Sequence, residues 1–211
     1  MQTSFQGGVF ISSTEPTILT ASALVNGSCG LVLRRASSRV NFRQLARNLA
    51  SHRLLLPLTV TAPHQMQAQA EELSLVGDNV YVQVPVMTAG QPNVALIHRL
   101  LMEGVPLAVT GVVTRQAVKR ILDQATATTT PLIIMMGAAT SYYDLIVSTA
   151  LAHLFPAVQL VAETLDQLAI LRAQRLAVDG VVLTADRLLT IYQPDVGACC
   201  QLGSRQIQCR S

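Results

Sequence analysis

The chain has 211 residues, enough for one domain with one substantial core, and half of them are hydrophobic while 13% are charged. No run of about 18 apolar residues is present, so a membrane span is not expected. The formal charge of +3, with 4% aromatics and no basic tract, gives nucleic-acid binding no support.

In chain order, Gly8–Ser13 predicts a first short strand, and Thr14 with Pro16 predicts the start of a helix running to Asn26-Gly27. Gly30–Arg34 is a second strand, and Ser37 or Ser38 caps a helix carrying Val40, Leu45 and Leu49. Leu54–Thr61 predicts a third strand, and Pro63 opens a helix stopped by Gly77-Asp78. Val80, Val82, Val84 and Val86 supply the β-branched run of a fourth strand covered on both faces. Pro85 belongs near its end, because proline has no N–H for a central ladder. A loop follows, and then a helix from Pro92 to Met102.

Pro106–Thr110 is a fifth strand, and Thr114 caps the helix Arg115–Ala125. Pro131–Met136 is a sixth strand, whose Met135 and Met136 are expected to fill an interior with apolar bulk. Ser141 caps the next helix, where Tyr142 and Tyr143 read as packing residues at a rim or a subunit contact. Val158–Ala162, a helix over Leu165–Ala177, Gly180–Thr184 and a helix ending near Tyr192 complete the pattern.

Eight β-then-α units in under two hundred residues predict a parallel sheet with helical crossovers, closed as a (β/α)8 TIM barrel. Residues 1–192 form that domain in this reading, and 193–211 form a tail without periodicity that carries Cys199, Cys200 and Cys209. Cys29 stands apart from these, and no cysteine or histidine pair has metal-ligand spacing, so neither a metal nor another cofactor is expected. The start of the chain has no charged leader and apolar core, and a reduced, cytoplasmic setting is expected.

In a barrel of this kind the working residues lie at the C-terminal ends of the strands. The polar side chains there are Ser12, Ser13, Arg34, Arg35, Thr59, Thr61, Gln83, Thr110, Glu163, Thr184 and Asp186. Asp78–Gly90, with its Val-Gln-Val-Pro-Val core at Val82–Val86, resembles the central strand of the small transaldolase and fructose-6-phosphate aldolase family. There the pattern is Val-Lys-Val-Pro-Val-Thr, and the resemblance extends through Glu103-Gly104-Val105-Pro106 to Thr110. It implies a homo-oligomer, a link to sugar phosphates and a Schiff-base lysine at the position held by Gln83.

By the same resemblance, the proton-handling aspartate falls on Ser12, an asparagine on Arg34 and a water-orienting glutamine on Pro57. The fifth-strand threonine is retained as Thr110. The late-strand tyrosine, arginine and serine fall near Met136, Ala139 and Glu163. An imine requires an unprotonated primary amine, which an amide is not. The chain has fourteen arginines and a single lysine, Lys119, placed in mid-helix and expected in solvent.

These features leave three functions open. One is a lysine-free relative that binds a small molecule at the mouth, or nothing there. Another is an enzyme using Glu163 for acid–base work with Gln83, Thr110 and Arg34 orienting the substrate. The last is a structural or regulatory homo-oligomer. Glu163 is expected to pair with Arg34 or Arg35 across the mouth, with Asp186 as the fallback acceptor, since an unpaired buried charge is costly.

Overall fold

The computed structural model describes residues 8–18, 28–35, 40–163, 173 and 175–185. Its strands are β1 (Gly8–Ser13), β2 (Ser28–Leu33), β3 (Arg53–Pro57), β4 (Val80–Pro85), β5 (Met87–Thr88), β6 (Gln91–Pro92), β7 (Leu107–Val112), β8 (Leu132–Met136), β9 (Val158–Glu163) and β10 (Gly180–Thr184). Between them run α1 (Phe42–Asn48), α2 (Pro63–Ser74), α3 (Val94–Met102), α4 (Arg115–Ala125) and α5 (Tyr142–Ala152). Eight strands close into a barrel in the order β1-β10-β9-β8-β7-β4-β3-β2, and the pairs are parallel. The fold is a (β/α)8 barrel. Strands β5 and β6 form a separate antiparallel hairpin on the loop that leaves β4.

Side chains alternate between two cores, as strand geometry requires. The inner core holds Phe10, Val32, Leu55, Ala108, Ile133, Met135, Val161 and Val182, with Cys29 and Tyr81 packed against it. The outer core lies between strands and helices and contains Leu31, Leu33, Leu54, Leu56, Val82 and Val84, together with Ile97, Leu100, Val118 and Ile121 from α3 and α4. Met135 is in the inner core as expected, but Met136 belongs to the outer one, because consecutive strand residues point to opposite faces.

The ring of Phe10 occupies space that β2 and β10 leave free by carrying glycine at its level. A Cβ added to Gly30 would overlap the ring, and one added to Gly180 would come within 3.0 Å of it. Phe10 is opposite Gly30 in register, while Val9 is opposite Ser28. Cys29 is therefore the extra residue of a bulge, which explains how it reaches the inner core out of the period-two pattern.

Several boundaries differ from expectation. Strand β3 stops at Pro57 rather than Thr61, because the proline ring removes the next ladder donor. Thr59 and Thr61 therefore lie beyond the strand, and Thr59 is held instead by Gln69 of α2, through bonds of 2.8 Å and 2.6 Å. Pro92 is paired with Met87 in the hairpin, so α3 begins at Val94. Strand β7 continues past Thr110 to Val112 through an irregularity in register, where Gly111 takes φ +73, a conformation open to glycine at little cost.

Helix α1 is capped by Asn41, whose Oδ1 accepts the Gln44 N–H at 3.1 Å. Ser37 and Ser38 lie outside the described residues. The same holds for most of the expected 165–177 helix, the Asn26-Gly27 stop, Asp186, the last helix and the tail with Cys199, Cys200 and Cys209. Thr114 and Ser141 do cap α4 and α5, each accepting the N–H three residues on. No helix among the described residues is long and apolar enough to cross a membrane.

Candidate functional site

The residues that follow the inner core toward the strand C-termini are Ser12, Arg34, Pro57, Gln83, Thr110, Glu163 and Thr184, each two positions after an inward-facing neighbour. The structure brings Arg34 and Glu163 into direct contact. A guanidinium nitrogen of Arg34 lies 2.8 Å from a carboxylate oxygen of Glu163, as the sequence led us to expect. In ring order β1 and β10 stand between β2 and β9, so the pair bridges an arc of the mouth rather than linking adjacent strands. The Arg34 side chain is 39% exposed and the Glu163 side chain 26%, so water reaches both partners. Arg35 is exposed.

Ser12 is buried, and its hydroxyl donates to the Leu183 carbonyl of the adjoining β10 at 3.3 Å. The resemblance implies a carboxylate at this position, and the hydroxyl found there brings no group that titrates near neutral pH. Thr110 is half-buried at the level of Pro85, and its backbone carbonyl accepts the Val86 N–H at 2.9 Å. Thr184 is exposed at the tip of β10.

Gln83 is 8% exposed. It stands opposite Pro57 on one side and Ala108 on the other. Its Nε2 donates to the Leu33 carbonyl at 2.8 Å and to the Leu55 carbonyl at 2.7 Å. Both hydrogens of the amide are thus engaged. The reason lies in the ladder. The Arg34 N–H bonds to Ser13 on β1, so the Leu33 carbonyl faces β3 by alternation. With Val32 opposite Leu55, the next donor due at that carbonyl is the N–H of residue 57, and proline has none. The Gln83 amide fills the vacancy.

Lys119 is where the sequence put it, on the outer face of α4. Its side chain is 68% exposed, and its Nζ lies 3.0 Å from Asp123 one turn on. Tyr142 and Tyr143 are exposed at the start of α5, and the Arg115 guanidinium lies over the Tyr143 ring at 4.9 Å. Asp144 accepts the Ser141 hydroxyl at 2.6 Å and the Arg115 N–H at 3.1 Å. These bonds, with the Ser141 contact first, hold its carboxyl below the usual carboxylate range. Among the described residues no group of three or more His, Cys, Asp or Glu could hold a metal ion.

The opposite end of the barrel carries polar residues that the sequence reasoning missed. Cys29, Arg53, Tyr81 and Gln159 belong to four strands at or near their N-terminal ends, and all four are half-buried. The Arg53 guanidinium donates to the Gln159 side-chain oxygen. Burial pushes the Cys29 thiol up, against the opposing effect of the Arg53 charge. The signal available was Arg53 itself, a cation opening the otherwise apolar run Leu54-Leu55-Leu56 two positions before inward-facing Leu55.

No family model matches this chain, and no curated protein does. Solved structures are similar in fold. One is a truncated form of 3-deoxy-D-arabino-heptulosonate 7-phosphate synthase from Thermotoga maritima, with a TM-score of 0.56 and 8% identity over 84% of this chain and 74% of that one. Another is a mandelate oxidase mutant with the monooxide FMN adduct, with a TM-score of 0.59 and 11% identity over 85% of this chain and 64% of that one, slightly under two thirds of its length. At such identity the likeness is one of fold.

Proposed function

We propose that this chain is a lysine-free relative of the small transaldolase and fructose-6-phosphate aldolase barrels, binding a small polar molecule at the mouth without forming an imine with it. The observation that carries this reading is the state of Gln83. It occupies the position at which the resemblance implies the Schiff-base lysine, and its amide nitrogen donates both hydrogens to the Leu33 and Leu55 carbonyls. An amide is not a nucleophile toward a carbonyl, and this one is held as part of the backbone framework.

The other end of the missing mechanism is equally silent. Ser12 offers a hydroxyl bonded to Leu183, and Pro57 offers no polar group. The acid–base alternative is less well supported, because the Glu163 carboxylate is engaged by Arg34 at 2.8 Å. A link to phosphorylated sugars is in keeping with one fold neighbour, a heptulosonate 7-phosphate synthase, at the level of fold alone. A homo-oligomer in the cytoplasm belongs to the same reading, and light scattering on the purified chain checks the assembly.

The test is reductive trapping. The protein is incubated with dihydroxyacetone or fructose 6-phosphate, reduced with borohydride and weighed intact. No adduct is expected. A mass gain mapped to Lys119 defeats the reading. Binding at the mouth is checked separately by thermal shift against a panel of small polar metabolites, with loss of the shift expected in Glu163→Gln.

A further inference from the structure

We propose that the N-terminal opening of the barrel, opposite the mouth, is a binding site for a small oxyanion, a carboxylate or phosphate held on Arg53. The inference starts from a charge imbalance. An arginine inside a protein is ordinarily matched by a carboxylate, because a desolvated guanidinium is costly alone. At the mouth Arg34 follows that rule through Glu163. Arg53 does not. It is half-buried in a barrel interior, and among the described residues no carboxylate lies within salt-bridge distance of it.

The neighbouring acids do not fill the gap. Asp179 lies at this end, but one of its carboxylate oxygens accepts the Leu160 N–H at 2.7 Å and the other is 3.9 Å from His153 Nε2. Asp78 is exposed in the turn before β4. Residues 1–7, which lead into β1, contain neither aspartate nor glutamate.

The chemistry of the opening fits an anion. The guanidinium has five N–H donors, and one partner is seen, the Gln159 side-chain oxygen, which also fixes the direction of the fork. Gln159 keeps its amide N–H groups as further donors. The Cys29 thiol, close enough to feel the Arg53 charge, is pushed up by burial, and Tyr81 packs against the same inner core without adding a carboxylate. Phe10, seated between Gly30 and Gly180, limits the depth of the site, so the ligand must be small or must present only its anionic end. The N-terminal face of such barrels commonly serves stability, yet a partly buried cation with no carboxylate partner among the described residues adds little to it, which is why a ligand is the better account.

Cys29 provides a local reporter. The thiolate is the species that is alkylated, and an anion on Arg53 would remove the charge that favours it and would also cover the sulfur. The experiment uses the full chain with Cys199, Cys200 and Cys209 changed to serine, so that iodoacetamide reports Cys29 alone. Alkylation is followed at fixed, mildly alkaline pH and constant ionic strength while chloride is replaced by inorganic phosphate or by acetate.

The expected result is a saturable, several-fold slowing of alkylation. Slowing by phosphate alone assigns a phosphoryl ligand, and slowing by acetate alone a carboxylate. In Arg53→Gln the slowing should vanish, and in Arg53→Lys, which keeps the charge and loses the fork, half-saturation should need several-fold more anion. If Arg53→Gln does not fold, Arg53→Lys decides. No saturable slowing with either anion, slowing that persists in Arg53→Gln, or an unchanged half-saturation in Arg53→Lys would overturn the proposal.

Discussion

Pro57 and Gln83 stand opposite one another on β3 and β4, and the side chain of one supplies the hydrogen bond that the ring of the other removes. A proline inside a barrel strand leaves a carbonyl on the next strand without its donor, here that of Leu33. A buried carbonyl left unpaired costs about 1–3 kcal/mol.

Gln83→Leu should therefore destabilise the protein by about that amount. In a Pro57→Ala background, where the backbone N–H returns, the same change should cost less, giving a coupling of about 0.5–3 kcal/mol in a double-mutant cycle. Urea unfolding of the four variants measures it. Additive effects would mean that the two residues do not compensate each other.

Gln83→Lys alone should not create an aldolase. On the proposed kinship, the lysine would arrive without the aspartate and glutamine that the resemblance implies at the positions of Ser12 and Pro57, and groups that act as a unit fail together. It would also bring a charge into an almost fully buried position, whose neighbours in register are Pro57 and Ala108. Reduced stability and no turnover of fructose 6-phosphate are expected. Turnover by this single variant would show that the supporting residues had been misplaced.

The Arg34–Glu163 contact should contribute little to stability despite its 2.8 Å length, since both side chains are partly solvated. Glu163→Gln should shift the unfolding free energy by no more than about 1 kcal/mol, and the difference from wild type should shrink as salt is raised. A large, salt-independent loss would place the pair in a much drier environment than its exposure indicates.

Gly30→Ala should be poorly tolerated, because its Cβ would overlap the Phe10 ring. Overpacking of this kind costs about 1–3 kcal/mol. Combining it with Phe10→Leu should recover part of the loss, read as a rise in melting temperature over the single variant.

At acid pH, Asp144 should contribute a visible part of the stability profile. Its folded carboxyl is held below the usual carboxylate range, first by the Ser141 hydroxyl and then by the Arg115 N–H. A depressed carboxyl stabilises the fold above its unfolded value, and that contribution is lost as pH falls through the lower folded one. Ser141→Ala should therefore flatten the stability curve below about pH 4 and change its shape little at neutral pH. Acid unfolding monitored by circular dichroism tests this, and an unchanged acid limb would remove Asp144 from the account.

Much of the fold was legible because parallel strands announce themselves locally. Runs such as Val80–Val84 and Leu132–Met136 are buried on both faces and carry their own β-branched or apolar signal, and Thr114 and Ser141 mark helix starts by capping chemistry. The Arg34–Glu163 contact was legible too, since two opposite charges stand at strand ends of a closed ring. The role of Gln83 was not. It depends on the register between β2 and β3 and on a missing N–H twenty-six residues earlier in the chain, neither of which is carried by its own neighbourhood. Cys29 escaped for a similar reason, since a bulge shifts the alternation by one residue and turns inward a side chain that the period-two pattern assigns outward.

The Phe10 ring, wedged between two glycines, makes the middle of the barrel an insulating plate. With Val32, Leu55, Ala108, Met135 and Val182 it interposes an apolar layer between two polar ends, one bearing the Arg34–Glu163 pair and the other Arg53 bonded to Gln159. Solutes arriving at one end have no path through that layer to the other, as its members are packed to near-complete burial. The two ends can therefore be altered independently: a substitution confined to the Arg34 end should leave the Arg53 end with its own chemistry, so a single small barrel offers two separately adjustable surfaces on one rigid frame.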